Sequence, residues 1–371
     1  MSDLPTRSSE LERAAPQLPV SWYFDERVFA LEKQLLFDDG PGYVGHELQV
    51  PNAGDYQTLE WMDHAKALVR NGGDVDLVTN ICRHRQAIML QGRGNSKNIV
   101  CPVHRWTYGM DGRLLGAPEF SENPCRDLQR EKLQRWNGLL FGGRRDVKAD
   151  LAGFDLAPEF DFSNYVFDRA WIEDYPSNWK TFVEVYLELY HVEPFHPGLA
   201  KLIDCGTFTA KSWQYGANWS NQVLRPNDEL RGFGTPAYQR YQERVLAHRN
   251  GRPPKFGTLW FTYYPNVMVE LYPEALIVST VIPRSPTLTT NVVEFFYPEE
   301  VAHFERELVE AHQAAYVETA MEDGEICTRM DRGRRALMEM GRDDRGPYQS
   351  PMEDGMVHFH EYLRRMIEPR L

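Results

Sequence analysis

The apolar and polar positions change texture several times along the chain. Residues 1–20 are polar and hold three prolines, which predicts a loose leader. Residues 22–38 (WYFDERVFALEKQLLFD) place Val28, Leu31, Leu35 and Leu36 on one side of a predicted helix. From 41 to about 145, short apolar stretches (YVGHELQV, ALVRN, VDLVTNICRH, NIVCPVH, GLLFGG) are broken by Gly, Asn and Asp, the pattern of short strands joined by turns. Residues 147–165 read as a polar connection. Beyond 166 the pattern mixes both periods. It predicts a helix over 178–191, strands over 258–269, 274–282 and 290–297, a long charged helix over 299–342 and a shorter one near 353–367. The expected organisation is α+β: an N-terminal segment (1–40), a small all-β domain (41–146) and a larger α+β domain (147–371).

Composition narrows this picture. A chain of 371 residues with 42% hydrophobic content can bury a sizeable core in one or two domains. Aromatic residues make up 12%, which argues against disorder over most of the length. A net charge of −13 repels phosphate backbones, so no nucleic-acid partner is expected. The same charge suits a basic redox partner or a cationic substrate. No apolar run reaches about 18 residues, so no membrane span is expected. The first residues lack an apolar stretch of signal-peptide length, and the expected location is the cytoplasm. Five cysteines (Cys82, Cys101, Cys125, Cys205, Cys327) are too few for a disulfide framework in a chain this long. Only the first two sit near histidines in a metal-type spacing.

That spacing is the strongest chemical signal. Cys82-Arg83-His84 is followed, after sixteen intervening residues, by Cys101-Pro102-Val103-His104. Two thiolates and two imidazoles paired as CxH and CxxH fit a [2Fe–2S] cluster of Rieske type, one iron held by the sulfurs and the other by the imidazoles. The neutral histidines leave the cluster less negative and easier to reduce. A structural Cys₂His₂ zinc site uses the same atoms, but it usually orders two cysteines before two histidines.

With Arg85 after His84, and Trp106, Tyr108 and Gly112 after His104, this segment resembles the Rieske domain of ring-hydroxylating oxygenase α subunits. It departs at Gln86, where the family often has Gly, and at Arg83, where it often has Pro. A second segment, NWKTFVEVYLELYHVEPFHP (178–197), resembles the family's catalytic domain through Asn178-Trp179-Lys180, Glu184, Tyr190-His191 and His196. On helical spacing Glu184, Glu188 and His191 share a face. A break near Pro194 would bring His196 back beside His191. Two such imidazoles are two thirds of a 2-His-1-carboxylate triad. A bare HxxxxH pair is otherwise weak, and the family context gives it weight.

The resemblance implies the rest. In 319–335 (TAMEDGEICTRMDRGRR) it points to Asp323 as the carboxylate ligand, although the family often has Gln where this chain has Asp331. The rival is a solvated helix face of Glu322, Asp323 and Glu325. Glu188 stands where the family usually has an Asp bridging an iron histidine to the cluster histidine of a neighbouring subunit. A Glu in a similar Tyr-Leu-Glu-x-Tyr-His setting also resembles the carnitine and choline monooxygenase branch, which favours quaternary or N-methyl amines beside aromatic compounds. The implied protein has a Rieske domain and a helix-grip antiparallel-sheet catalytic domain. It carries a [2Fe–2S] cluster and mononuclear Fe(II), uses O₂ as a mono- or dioxygenase, draws electrons from a reductase or ferredoxin, and assembles as a homotrimer. The rivals are a Rieske-type electron carrier and a binding module without mononuclear iron. Either holds about two irons per chain where the oxygenase holds about three. Trp213, Tyr215, Trp219, Trp260, Phe261, Tyr263 and Tyr264 are candidates to line a pocket or cage a cation.

Overall fold

A computed structural model describes residues 16–371 except 228, 229, 231 and 232. The first fifteen residues of the expected leader lie outside the described residues. The rest of that leader is not loose, since Leu18 and Val20 are buried. The chain forms two compact units: Asp38–Ala152, and the residues up to Phe37 together with Gly153–Leu371.

The unit Asp38–Ala152 is built from short antiparallel strands. Among the described residues it has one five-stranded and two three-stranded sheets. Lys66–Asn71 lies at the centre of the five-stranded sheet, between Asp55–Thr58 and Asp74–Thr79. Its side chains alternate faces, as strand geometry requires. Ala67 and Val69 enter one apolar cluster and Leu68 enters the other. Both faces are covered, which explains an apolar run without polar alternation. The first cluster also holds Cys82, Cys101, Trp106 and Tyr108.

The other unit is organised by seven antiparallel strands among the described residues: β1 (Tyr165–Tyr175), β2 (Trp213–Gly216), β3 (Trp219–Leu224), β4 (Thr258–Tyr263), β5 (Val267–Tyr272), β6 (Ala275–Ser285) and β7 (Leu288–Pro298). Their order across the sheet is β1-β7-β6-β5-β4-β3-β2. Its longer helices are α1 (Glu26–Glu32), α2 (Trp179–Tyr186), α3 (Pro236–His248), α4 (Arg306–Glu339) and α5 (Asp354–Ile367). Leu18, Trp22, Tyr23, Val28 and Leu36 of the N-terminal segment share a core with Trp179, Val183 and the α5 residues Phe359 and Leu363. Register aligns Trp260, Glu270, Ile277 and Phe295 across β4, β5, β6 and β7. This face carries the pocket described below.

Several expected elements are corrected. The strand over 258–269 is a hairpin, β4 and β5, because Pro265 has no N–H for the ladder and turns with Asn266. The helix over 299–342 is interrupted at Glu305 (φ −123°), leaving Glu299–Phe304 before α4. The connection 147–165 is apolar as well as polar. Val147 and Leu151 are buried in the first unit, and Phe154, Phe160 and Phe162 in the second. The helix over 178–191 ends at Tyr186.

Candidate metal centres

The first constellation rests on two similar loops. In each, the residue four places after the cysteine donates its N–H back to the cysteine carbonyl: Gln86 to Cys82 at 3.1 Å, and Arg105 to Cys101 at 3.1 Å. Both closing residues are left-handed, with φ +58° at Gln86 and +61° at Arg105. Such a turn costs a side chain about 1 kcal/mol that glycine avoids. The turns bring His84 and His104 to 4.7 Å between ring centroids. Trp106 stacks on His84 at 5.0 Å. Cys82 and Cys101 are free thiols and buried. The Tyr108 hydroxyl lies 3.7 Å from Cys82 Sγ and accepts the Arg83 N–H at 3.1 Å. His84 Nδ1 is buried without a hydrogen-bond partner. An orphaned imidazole nitrogen beside two buried thiols fits a group that the polypeptide does not itself provide.

The second constellation forms where α2 stops. The chain breaks helix over Leu187–Tyr190 and then makes a single helical turn, Val192–Phe195. His191 caps the start of this turn and His196 its end, so two residues five apart converge. The break comes before Pro194, not at it. Pro194 sits in the first turn, where its missing N–H leaves no bond unmade. Glu184 and Glu188 therefore do not share a face, since Glu184 is inside α2 and Glu188 beyond its end.

From α4, Asp323 meets the histidine pair. His191 Nε2 and His196 Nε2 are 2.9 Å apart, and Asp323 Oδ1 lies 3.0 Å from His196 Nε2 and 3.4 Å from His191 Nε2. These residues form a potential metal-holding group. An octahedron with bonds of about 2.1 Å has edges of about 3 Å, so the donors are spaced like one triangular face of it. The outer imidazole nitrogens are fixed as well. His191 Nδ1 pairs with Glu188 Oε1, and Glu188 Oε2 accepts the His191 backbone N–H at 3.0 Å. His196 Nδ1 pairs with Glu322 Oε2 at 2.6 Å. These carboxylates set which ring nitrogen points inward. Glu325 pairs on the exposed surface with Arg329, so of the three acids of the rival solvated face it alone faces outward.

The electrostatics match a cation site. Burial lowers the His191 imidazolium, but Asp323 and Glu188 outweigh it and raise the group to about 10. Burial raises the Asp323 carboxyl, and the two histidines outweigh that and bring it down to about 2. Without a metal the cluster holds protons where a divalent cation can replace them. A pocket opens beside it, lined by apolar Phe182, Val185, Val192 and Leu199 and by Glu188, Glu270 and Asp323, with no Lys or Arg in its wall among the described residues.

The comparisons with known proteins agree with this geometry. Residues 41–133 match the Rieske [2Fe-2S] domain, and residues 162–369 match the ring hydroxylating alpha subunit (catalytic domain). The chain belongs to the ring-hydroxylating oxygenase α subunit family. Across 99% of its length this oxygenase is 55% identical to putrescine 2-hydroxylase of Ralstonia nicotianae, covering 100% of that protein. It is 50% identical to putrescine 2-hydroxylase of Bordetella bronchiseptica over 97% of this chain and 87% of that one. A crystal structure of the quaternary ammonium Rieske monooxygenase CntA with L-carnitine superposes with a TM-score of 0.75 at 20% identity, covering 95% of this chain and 96% of that one, a likeness of fold. The oxygenase carries a Rieske [2Fe–2S] cluster and a mononuclear iron, and works with O₂, an organic substrate and an electron donor.

Other features of the oxygenase site escape sequence patterns. Of the aromatic candidates, only Trp260 reaches the pocket wall. Trp213 stacks on Tyr215, Trp219 and Phe261 pack with Phe154, and Tyr264 packs on Phe359 and Tyr362. The aromatic wall is instead Tyr186, Tyr272 and Tyr316 beside Trp260 and Phe182. Asp331 is wholly buried and braces the start of α2, accepting the Asn178 N–H at 2.6 Å and the Thr181 hydroxyl at 2.6 Å. On α4, Asp323, Cys327, Asp331 and Arg334 recur at helical spacing along one inward face. Among the described residues no helix is long and apolar enough to cross a membrane.

Proposed function

We propose that this chain is the terminal component of a monooxygenase that hydroxylates a short aliphatic diamine, putrescine foremost, at carbon 2. The observation that carries this reading is the 55% and 50% identity, over nearly the whole chain, to two proteins named putrescine 2-hydroxylase. The pocket supports it: among the described residues its wall holds Glu188, Glu270 and Asp323 and no Lys or Arg, which suits a dication better than a neutral arene. Monooxygenation of an amine is accordingly preferred here to aromatic ring dihydroxylation.

In this reading Cys82, Cys101, His84 and His104 hold the cluster, while His191, His196 and Asp323 hold the mononuclear iron, which supplies O₂ activation when it and the cluster provide electrons. Glu188 and Glu322 orient the imidazoles, and the apolar wall excludes water from the substrate chain. A reductase or ferredoxin is the donor, and the expected assembly is a cytoplasmic homotrimer in which Glu188 links His191 to a cluster histidine of the adjacent subunit. Its carboxylate has acceptor capacity beyond the bonds it makes to His191. Glu188→Gln should keep about three irons per chain yet slow cluster-to-iron electron transfer by at least about tenfold, because an amide accepts at only one end. Single-turnover transfer at the parent's rate would reduce Glu188 to an orienting residue.

The function itself is tested with purified oxygenase, a competent reductase, NADH and putrescine. Hydroxylated putrescine should accumulate in step with O₂ uptake. NADH loss with peroxide and no hydroxylated product would defeat the diamine reading.

A further inference from the structure

Two buried carboxylates of the larger unit have close cationic partners, and a third, which faces the pocket, has none among the described residues. Glu32 pairs with buried Lys180 at 2.7 Å. Glu184 pairs with Arg334 at 2.7 Å. Glu270 on β5 is only 2% exposed, yet no cationic side chain pairs with it among the described residues. The Tyr316 hydroxyl donates to Glu270 Oε1 at 2.9 Å. Tyr272 is a second hydrogen-bond partner, and Trp260 Nε1 donates to the Tyr272 hydroxyl at 3.2 Å. A buried charge without a counter-charge costs several kcal/mol unless something supplies one. Burial accordingly pushes the Glu270 carboxyl up to about 8.

Two further observations say what that something is. The Tyr186 hydroxyl, on the same wall, is buried without a hydrogen-bond partner. Ser279 and Asn291 add polar groups to the same wall: Ser279 donates its hydroxyl to Asn291 Oδ1 at 2.9 Å and is also hydrogen-bonded with Tyr316. A primary ammonium brings one positive charge and three N–H donors, and so satisfies a carboxylate and neighbouring hydroxyl oxygens together. A quaternary ammonium brings no N–H. The same wall includes the apolar side chains of Phe182, Val185 and Val192, which suit methylenes. Tyr316, which holds Glu270, and Asp323, which faces the iron, are seven residues apart on α4, or about 10 Å along its axis.

We propose that Glu270 is the ammonium anchor of the substrate pocket: its carboxylate, backed by Tyr316 and Tyr272, takes one amino end of a primary alkyl diamine and holds the chain with the rest directed toward His191, His196 and Asp323. The inference rests on the diamine reading above and adds the residue that selects the cation. The apolar stretch sets which carbon is presented, and Glu270 sets which end is held.

The test compares the parent and Glu270→Gln holoenzymes with putrescine, at equal iron content and with the same reductase. The amide should raise the putrescine KM by at least about tenfold, the loss of one charge-assisted contact, with kcat less affected. Iron content and the cluster's EPR signal should stay at parental levels. Glu270→Asp, which withdraws the carboxylate by one methylene, should recover part of the affinity and move preference toward the five-carbon diamine. An unchanged putrescine KM in Glu270→Gln, with the parent active, overturns the anchor and leaves the diamine reading standing. Loss of mononuclear iron in Glu270→Gln would make Glu270 a structural residue and also overturn it. If the parent forms no hydroxylated product from either diamine, the diamine reading falls, and the anchor with it.

Discussion

Replacing Asp323 by alanine should strip the mononuclear iron and leave the cluster in place. Iron should fall from about three to about two per chain, and product formation should become undetectable, while the Rieske EPR signal persists. Among the described residues Asp323 Oδ1 is the only carboxylate oxygen placed against both inward histidine nitrogens, at 3.0 and 3.4 Å. Two imidazoles alone would leave a divalent ion with its full charge in a partly dry pocket, which is costly. Neither neighbouring acid can substitute readily. Glu322 holds the far side of His196 and Glu188 the far side of His191. Metal analysis together with EPR decides the matter. A variant that keeps about three irons would transfer the ligand role to another residue.

Replacing Glu184 by glutamine should destabilise the larger unit by about 3–5 kcal/mol, because it leaves the Arg334 charge buried and unpaired. Glu184 is wholly buried and accepts from Arg334 at 2.7 Å, from His360 Nε2 at 2.9 Å and from the Tyr23 hydroxyl. Arg334 also lies over the Tyr23 ring, 3.9 Å from its centroid, and donates to Thr181 at 2.6 Å. His360 Nε2 must carry its proton toward the carboxylate, so its Nδ1 accepts from Tyr348 at 2.6 Å. The network joins the N-terminal segment, α2, α4 and α5; α4 presents Asp323, and α2 leads into the turn that presents His191. Burial raises the Glu184 carboxyl, but Arg334 and its hydrogen bonds outweigh this and hold it down near about 2. A lowered carboxyl contributes stability that is complete above its ordinary value of 4.5 and is lost as the pH falls toward 2. The parent should therefore lose stability across that acid range, and Glu184→Gln should show a flatter profile on a lower plateau. Urea unfolding at several pH values measures both effects. An equal midpoint for the two proteins at neutral pH would show that Arg334 finds another partner.

Sequence alone was sufficient wherever the chemistry is local. Each Cys–His pair of the cluster loops lies within one tight turn, so its spacing can be read without knowing the fold. Short apolar stretches broken by turn residues located the small strands, and helical spacing located α4 and α5, because turn chemistry and helical period follow from local backbone geometry. The net charge of −13 is summed over the chain and is indifferent to conformation. Tertiary structure decided what depends on distant segments. His196 and Asp323 are 127 positions apart, and only the packing of α4 against α2 brings them to 3.0 Å. An inward stripe of Asp323, Asp331 and Arg334 resembles a solvated face in sequence, since spacing records which residues share a face but not what covers it. Likewise α2 was overextended because Glu184, Glu188 and His191 keep helical spacing, whereas the chain stops its helix after Tyr186 to present His191 and His196 from a separate turn. Glu270 sits in a strand with nothing unusual around it. Its burial without a counter-charge exists only once β5 and α4 meet, because desolvation is a property of the assembled interior.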